Sequence, residues 1–188
     1  MATQRHARRV AVSLPPKHLQ RMEPHTQPHD QTPPDSFRKE ELEMFQSFEN
    51  QTLVDINYYL WLNQAEQQEE APMRFLYALE LIFESSEALI LSSGEDTEAI
   101  RIINAQSLVD TARQLQALHG KVLIQRISAL AQPLWQGATG KILEAIRLSR
   151  NEQGLYQNDA VLFDFGSKQI LLQLSELEGL ELGRWEQN

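Results

Sequence analysis

The histidines of this 188-residue chain are concentrated at its start, and the chain contains no cysteine. Four of the five histidines lie within the first 29 residues: His6, His18, His25 and His29. The fifth is His119. Histidine and cysteine perform much of the nucleophilic catalysis, zinc ligation and proton transfer that occurs near neutral pH. Any reaction in residues 36–188 would therefore rest on carboxylates, hydroxyls, lysines or arginines, and we predict no catalytic, cofactor-binding or metal-binding residue.

Two short motifs spell fragments of known nucleotide sites, and both are incomplete. The segment Gly137-Ala138-Thr139-Gly140-Lys141 resembles part of a phosphate-binding loop, but Trp135 and Ile142 stand where that motif needs glycine and a hydroxyl residue. Asp164-Phe165-Gly166 spells a kinase triplet without the other kinase elements. We interpret this triplet as the end of a strand followed by a turn, and predict no nucleotide site.

The remaining histidines have plain structural explanations. His119 directly precedes Gly120 at the predicted end of a helix, where a positively charged imidazole interacts favourably with the helix dipole. His25 and His29 are four residues apart, but Pro24 and Pro28 prevent a helix that would align them. We therefore interpret His119 as a helix-end residue, with catalysis as the alternative.

The charge of the chain is divided unevenly. Residues 36–188 hold 12 basic and 23 acidic side chains, a formal net charge of −11, whereas residues 1–35 carry a net charge of +2. An acidic domain repels phosphate backbones, so we expect no nucleic-acid partner. The acidity instead favours a basic protein partner, or serves solubility alone. No apolar stretch approaches the roughly 20 residues that a membrane helix needs, and we expect no membrane partner.

The first 35 residues differ in composition from the rest. They contain six of the eight prolines and few apolar side chains, so we predict that residues 1–35 are a disordered tail. Residues 1–22 are basic and free of acids, a composition that is also typical of an organellar transit peptide. The absence of cysteine favours a cytoplasmic location, with an organellar location as the alternative. Residues 36–188 are predicted to form a single acidic globular domain, helical over 36–150 and β over 156–186.

The apolar spacing over residues 36–150 predicts four or five helices. They are expected to begin near Phe37, Pro72, Thr97, Lys121 and Thr139. Asp35 or Ser36 is the predicted cap of the first helix, since Lys39-Glu40-Glu41 places acidic side chains in its first turn. The apolar stripe of this helix widens toward Leu62. Gly120 is expected to end the third helix and Arg150 to end the last.

The hydrophobic period changes to two after residue 156. With Gly166-Ser167 as a two-residue type II′ turn, three pairs are predicted on one side of the hairpin: Phe165 with Lys168, Phe163 with Ile170 and Val161 with Leu172. Asp164 is predicted to face Gln169 on the opposite side. Leu180 and Leu182 are expected to form a third strand, closed at its end by Trp185. The predicted fold class is therefore α+β: a bundle of four to five helices followed by a C-terminal antiparallel hairpin or three-stranded meander.

Aromatic residues provide the candidate contact points. Tyr58 and Tyr59 are adjacent and cannot be equally buried on one helix, so Tyr58, Tyr59 and Trp185 are predicted partner-contact anchors. The expected function is a non-catalytic protein-binding or regulatory module. One alternative is a small-ligand binder or an enzyme that uses carboxylates in an interhelical pocket. Another is an immunity-like or antitoxin-like neutraliser of a basic partner.

Overall fold

The computed structural model of the chain describes residues 19–21, 33–63, 73–93, 99–119, 122–175 and 179–185. These ranges contain ten strands and two helices, and the antiparallel sheet curls into a half-barrel. The strands are β1 (Leu19–Arg21), β2 (Leu53–Asn63), β3 (Met73–Phe83), β4 (Ala88–Ser92), β5 (Arg101–Ile103), β6 (Val122–Ser128), β7 (Ala145–Ser149), β8 (Ala160–Asp164), β9 (Gln169–Leu174) and β10 (Leu180–Arg184). The helices are α1 (Lys39–Phe48) and α2 (Ala105–His119).

The strands are joined in the order β1-β7-β8-β9-β10-β3-β2-β6, and β4 pairs with β3 and β5. Strand β10 connects the two halves of the sheet: it pairs with β9 along its whole length and with β3 at Leu180 and Leu76. Strand β1, in the predicted tail, pairs with β7. Most of residues 1–35 lie outside the described residues, so the disorder predicted for them stays a prediction.

The prediction of a four-to-five-helix bundle was wrong. Strands β2, β3, β4, β6 and β7 all lie where helices were expected, and the described residues contain only α1 and α2 as helices. The helices predicted to begin near Pro72, Lys121 and Thr139 are therefore replaced by sheet within the described ranges. The domain is mainly antiparallel β-sheet.

Two features of β2 and β3 explain the error. In β3, Leu79, Leu81 and Phe83 alternate with Glu80 in the period of a strand, but apolar residues such as Ala78 also lie on the second face. A strand that is covered on both faces gives apolar spacings that fit a helix equally well. Two register shifts between β2 and β3 further break the period of two.

The start of helix α1 was predicted nearly correctly, but its cap and its end were wrong. It begins at Lys39, and Arg38 rather than Asp35 or Ser36 is its N-cap residue. The Arg38 backbone N–H donates to the Glu41 carboxylate at 2.9 Å, so a side chain of the first turn satisfies the backbone donor of the N-cap residue. The helix ends at Phe48, before Asn50 adopts a positive φ of 68° and the chain turns into β2. The expected helical stripe toward Leu62 therefore belongs to a strand.

Helix α2 corresponds to the third predicted helix. It begins at Ala105, where Asn104 Oδ1 accepts the Ser107 backbone N–H at 2.8 Å. Ile103, predicted to lie in this helix, is the last residue of β5. The helix extends to His119, which confirms the predicted helix-end position of that residue, while Gly120 lies outside the described residues.

The C-terminal meander was predicted correctly. Val161 pairs with Leu172, Phe163 with Ile170 and Asp164 with Gln169. Gly166 has a φ of 76° and Ser167 does not have a positive φ, as a type II′ turn requires. Strand β10 follows as the third strand, paired with β9.

The two helices cover opposite faces of the sheet. Phe45 and Phe48 of α1 pack in the main core with Leu79 and Leu89, whereas Leu108 of α2 packs with Ala78 and Ile90. Successive side chains of a strand point to opposite faces, so these two clusters lie on opposite sides of β3 and β4. Neither described helix is long and apolar enough to cross a membrane.

Candidate binding site

Residues 129–144, here called the connecting segment, follow the edge of β2 between β6 and β7. The Ala129 N–H donates to the Ile56 carbonyl at 2.8 Å, and the Gly140 N–H donates to the Leu53 carbonyl at 2.8 Å. The Leu53 N–H in turn donates to the Lys141 carbonyl at 2.9 Å. The connecting segment therefore satisfies backbone groups of the first half of β2, while β6 pairs with the second half.

Trp135 fixes this segment to the core. Its side chain is fully buried, and its indole N–H donates to the Tyr58 hydroxyl at 2.6 Å. Burial raises the pKa of the Tyr58 phenol above its ordinary value, and the Trp135 hydrogen bond opposes this effect in part. Because a buried indole N–H needs an acceptor, Tyr58 determines where the segment can lie.

Three exposed aliphatic side chains lie along the line where the connecting segment meets β2; we call them the seam patch. Val54, Leu130 and Ile142 are 42%, 44% and 51% exposed. Val54 has no Cα partner in β3, because the register shifts between Leu53 and Asp55. Leu130 follows Ala129, which is bonded to Ile56, and Ile142 forms a bridge with Thr52. The seam patch is therefore a consequence of a bulge in β2 and of the route of the connecting segment.

Carboxylates surround the beginning of β2. Glu84 and Glu87 are exposed in the turn between β3 and β4, and the Glu84 N–H donates to the Thr52 carbonyl at 2.9 Å. Asp55 is half-buried beside Val54. Lys141 is the basic residue within the same stretch. The apolar seam patch is thus bordered mainly by negative charge.

Two arginines, Arg126 and Arg147, are held by buried carboxylates. Glu80 Oε2 accepts hydrogen bonds from Arg126 Nε at 3.1 Å, Arg126 Nη2 at 2.8 Å, Asn57 Nδ2 at 3.0 Å and the Tyr59 hydroxyl at 3.3 Å. Burial is the main cause that raises the pKa of Tyr59, followed by the charge of Glu80. This cluster satisfies a buried charge on β3 with donors from the two strands β2 and β6, so its arrangement serves the sheet.

Asp164 forms a second such cluster. Its Oδ2 accepts hydrogen bonds from Arg147 Nε at 3.1 Å, Arg147 Nη2 at 2.7 Å and Gln169 Nε2 at 3.1 Å, while its Oδ1 accepts the Gly166 N–H at 3.0 Å. Asp164 is the last residue of β8, which confirms the interpretation of Asp164-Phe165-Gly166 as a strand end and turn. Since Arg126 and Arg147 serve buried carboxylates, neither arginine offsets the charge of an exposed acidic residue.

A pocket of about 290 Å³ opens between the connecting segment and the C-terminal meander. It is lined by Gln136, Gly137, Ser167, Lys168, Gln169, Arg184 and Trp185. These seven residues include two cations and no carboxylate. The pocket is therefore a positively charged site on an acidic domain.

Lys168 is the buried cation of this pocket. It is 8% exposed, and its ammonium donates to the carbonyls of Pro133, at 3.4 Å, and Gln136. Burial lowers the pKa of Lys168, and the nearby charge of Arg184 lowers it further. Arg184 itself is exposed at the end of β10.

Comparison with known proteins provides no relative of this chain. No family model, curated protein or solved structure matches it. Its function must therefore be argued from these surfaces.

The structure separates the three predicted anchors. Tyr58 and Tyr59 are both half-buried, and they take part in different clusters, Tyr58 with Trp135 in the main core and Tyr59 with Glu80 on the α2 face. Trp185 is buried against Leu162 and also lines the cationic pocket. The three residues do not form one surface, and their role as partner contacts stays a prediction.

Sequence reasoning missed the seam patch and the pocket. One signal for the pocket was present: the predicted hairpin placed Lys168 opposite Phe165, on its apolar side. A lysine in such a position is a buried charge, which is rare unless something pairs with it. The residues from the other two segments, such as Gln136 and Arg184, gave no comparable signal. No group of three metal-ligating side chains occurs in the described ranges.

Proposed function

We propose that the protein is a non-catalytic module that binds a basic protein through the seam patch and the carboxylates around it. The observation that carries the proposal is the exposure of Val54, Leu130 and Ile142 along one seam bordered by Glu84 and Glu87. Several exposed aliphatic side chains along one seam favour an interaction surface, whereas single ones are common on any protein.

The charge distribution supports a basic partner. Residues 36–188 carry a net charge of −11, and Arg126 and Arg147 are committed to the buried carboxylates of Glu80 and Asp164. The excess of acidic over basic side chains is therefore borne by other residues, including the exposed Glu84 and Glu87. Complementary charge speeds the encounter of two proteins and disfavours acidic partners.

The two alternatives differ in their support. An immunity-like or antitoxin-like neutraliser of a basic protein is a special case of the proposed function, and the same surface would serve it. A carboxylate site in an interhelical pocket gains no support, because α1 and α2 lie on opposite faces of the sheet. A cytoplasmic location, and import into an organelle directed by residues 1–22, stay predictions from composition.

The test uses the tagged full-length chain and a pair of matched double variants. Leu130→Ser with Ile142→Ser removes two side chains of the seam patch. Met44→Ser with Val109→Ser removes two aliphatic side chains of similar exposure, 44% and 43%, from the outer sides of α1 and α2. A protein captured by the wild type is purified, its net charge is determined, and its affinity for all three chains is measured by calorimetry at low and high salt.

We expect a basic partner whose affinity falls by about tenfold or more in the seam-patch variant, is unchanged in the helix variant, and weakens with salt. An acidic or neutral partner, equal binding by both variants, or an affinity that salt does not change would each contradict the proposal. The absence of any captured protein at low salt would contradict it as well. If both variants unfold like the wild type, the loss of affinity in the seam-patch variant is a local effect.

A further inference from the structure

We propose that the pocket between the connecting segment and the C-terminal meander binds a phosphate monoester group in its dianionic form. This site is separate from the seam patch, and the proposal does not depend on the proposed function. Lys168 and Arg184 supply the two positive charges, and Trp185 supplies an apolar wall for the organic part of the ligand.

The argument begins with the two cations. Lys168 is almost fully buried, yet its ammonium is held only by the neutral carbonyls of Pro133 and Gln136 among the described residues. Arg184 forms no ion pair with any carboxylate in that part of the chain. Two like charges that share a pocket repel each other, and the lowered pKa of Lys168 reflects this repulsion together with burial. A bound anion would relieve both effects.

Nearby carboxylates do not already fill this role. Asp164 accepts hydrogen bonds from Arg147 and Gln169, so its charge is compensated by the Arg147 guanidinium. The Glu144 carboxylate lies against Gly166, at 2.5 Å from the position that a Cβ of that residue would occupy, and it is not part of the pocket lining. Among the described residues, the pocket therefore has two lining cations and no acidic lining residue.

The charge and shape favour a phosphate monoester over a carboxylate. A phosphate monoester carries a charge of about −1.5 to −2 at neutral pH, which matches two cations, whereas a carboxylate carries one negative charge. The planar guanidinium of Arg184 can donate two parallel hydrogen bonds to phosphate oxygens, and the Lys168 ammonium acts as a point charge. Ser167, Gln136 and the backbone of Gly137 add neutral polar groups to the same lining. The volume of about 290 Å³ holds a phosphate group with a small organic substituent.

The test measures binding of inorganic phosphate, phenyl phosphate and acetate to the full-length chain by calorimetry at low ionic strength. Arg184→Gln removes the exposed cation, and Lys168→Met removes the buried one. Arg113→Gln is the matched control, because Arg113 is an exposed arginine on α2, on a different element from every lining residue of the pocket. Unfolding curves accompany each variant, since Lys168 is buried and its replacement can alter the fold. Arg184 is exposed, so Arg184→Gln tests the site even if Lys168→Met does not fold.

We expect saturable binding of phenyl phosphate, displaced by inorganic phosphate, with the affinity lowered about tenfold or more in Arg184→Gln and unchanged in Arg113→Gln. Equal affinity for the two phosphate compounds would identify the free ion as the ligand, and tighter binding of phenyl phosphate would identify an organic monoester that contacts Trp185. The proposal is overturned if neither phosphate compound saturates, if acetate binds as tightly, or if Arg184→Gln binds like Arg113→Gln.

Discussion

Trp135 donates its indole N–H to the hydroxyl of Tyr58 at 2.6 Å, joining residues 77 positions apart in the chain. Through this bond the connecting segment is fixed to β2. The same segment presents Leu130 and Ile142 to solvent and offers the carbonyls of Pro133 and Gln136 to Lys168. One buried hydrogen bond therefore supports both surfaces on which function has been proposed.

Removal of this bond should destabilise the domain. Tyr58→Phe leaves the buried Trp135 N–H without its acceptor, and we expect a loss of about 1–3 kcal/mol in the free energy of unfolding in urea. Trp135→Phe removes the donor together with part of a fully buried side chain, and should cost about 3 kcal/mol or more. The double variant should lose less than the sum of the two. Strict additivity would show that the bond contributes nothing.

Alkaline pH provides a second test of Tyr58. Its pKa is raised by burial, so the folded protein keeps the phenol protonated at pH values where the unfolded chain has ionised. The unfolded state then binds fewer protons, and stability should fall as the pH rises above about 10, through the folded pKa. Tyr58→Phe should lose less stability over this range and should lack one late-ionising phenol in an absorbance titration. If a late-ionising phenol is still present in Tyr58→Phe, it belongs to another residue, such as Tyr59.

Three glycines with similar φ angles allow the cost of backbone strain to be measured apart from the cost of a steric collision. Gly154, Gly166 and Gly179 have φ of 81°, 76° and 73°. A Cβ would meet nothing within 4 Å at Gly154, the movable Glu144 carboxylate at Gly166, and the Leu76 backbone carbonyl at 2.5 Å at Gly179. Gly154→Ala should therefore cost about 1–2 kcal/mol from strain alone, Gly166→Ala slightly more, and Gly179→Ala by far the most. The free energies of unfolding of the three variants check this order, and equal costs would contradict it.

The Glu80 cluster predicts a contrast between single and double replacements. Arg126→Leu leaves the buried Glu80 carboxylate with only neutral donors, and we expect it to cost about 1–3 kcal/mol, a value reduced because Arg126 is half exposed. Arg126→Leu combined with Glu80→Gln removes the uncompensated charge, keeps an acceptor for Asn57 and Tyr59, and should cost less than Arg126→Leu alone. Unfolding in urea measures both variants. If the double variant is less stable than Arg126→Leu, the charge of Glu80 stabilises the fold even without Arg126.

The parts of the fold that could be predicted from the sequence are those with strong local signals. The type II′ turn at Gly166 fixed the register of β8 and β9, and the acidic first turn marked the start of α1. Strands β2 and β3 gave no such signal, since both of their faces are covered and a bulge at Val54 breaks the alternation. Their partners are also remote in sequence, as the pairing of Tyr58 with Ile127 illustrates. A spacing of apolar residues alone does not distinguish such strands from helices.

The candidate surfaces were less predictable still. Val54 is exposed because of a register shift, and Leu130 and Ile142 are exposed because of the route that Trp135 imposes on the connecting segment. The pocket combines residues from three separate parts of the chain, and only the buried position of Lys168 was implied by the predicted hairpin. Such sites form where distant parts of the chain meet, and no short stretch of the sequence indicates which parts those are.

Strand β10 has a consequence for the order in which the protein can fold during its synthesis. Among the described strands, the sheet passes from β9 to β3 only through β10, so its two halves are joined by a strand that is synthesised after the other nine. Until Leu180 has left the ribosome, the Leu76 region of β3 and the free side of β9 both expose unpaired backbone. Completion of the sheet therefore waits for the synthesis of β10, and conditions that slow elongation beyond β9 prolong the lifetime of two open sheet edges.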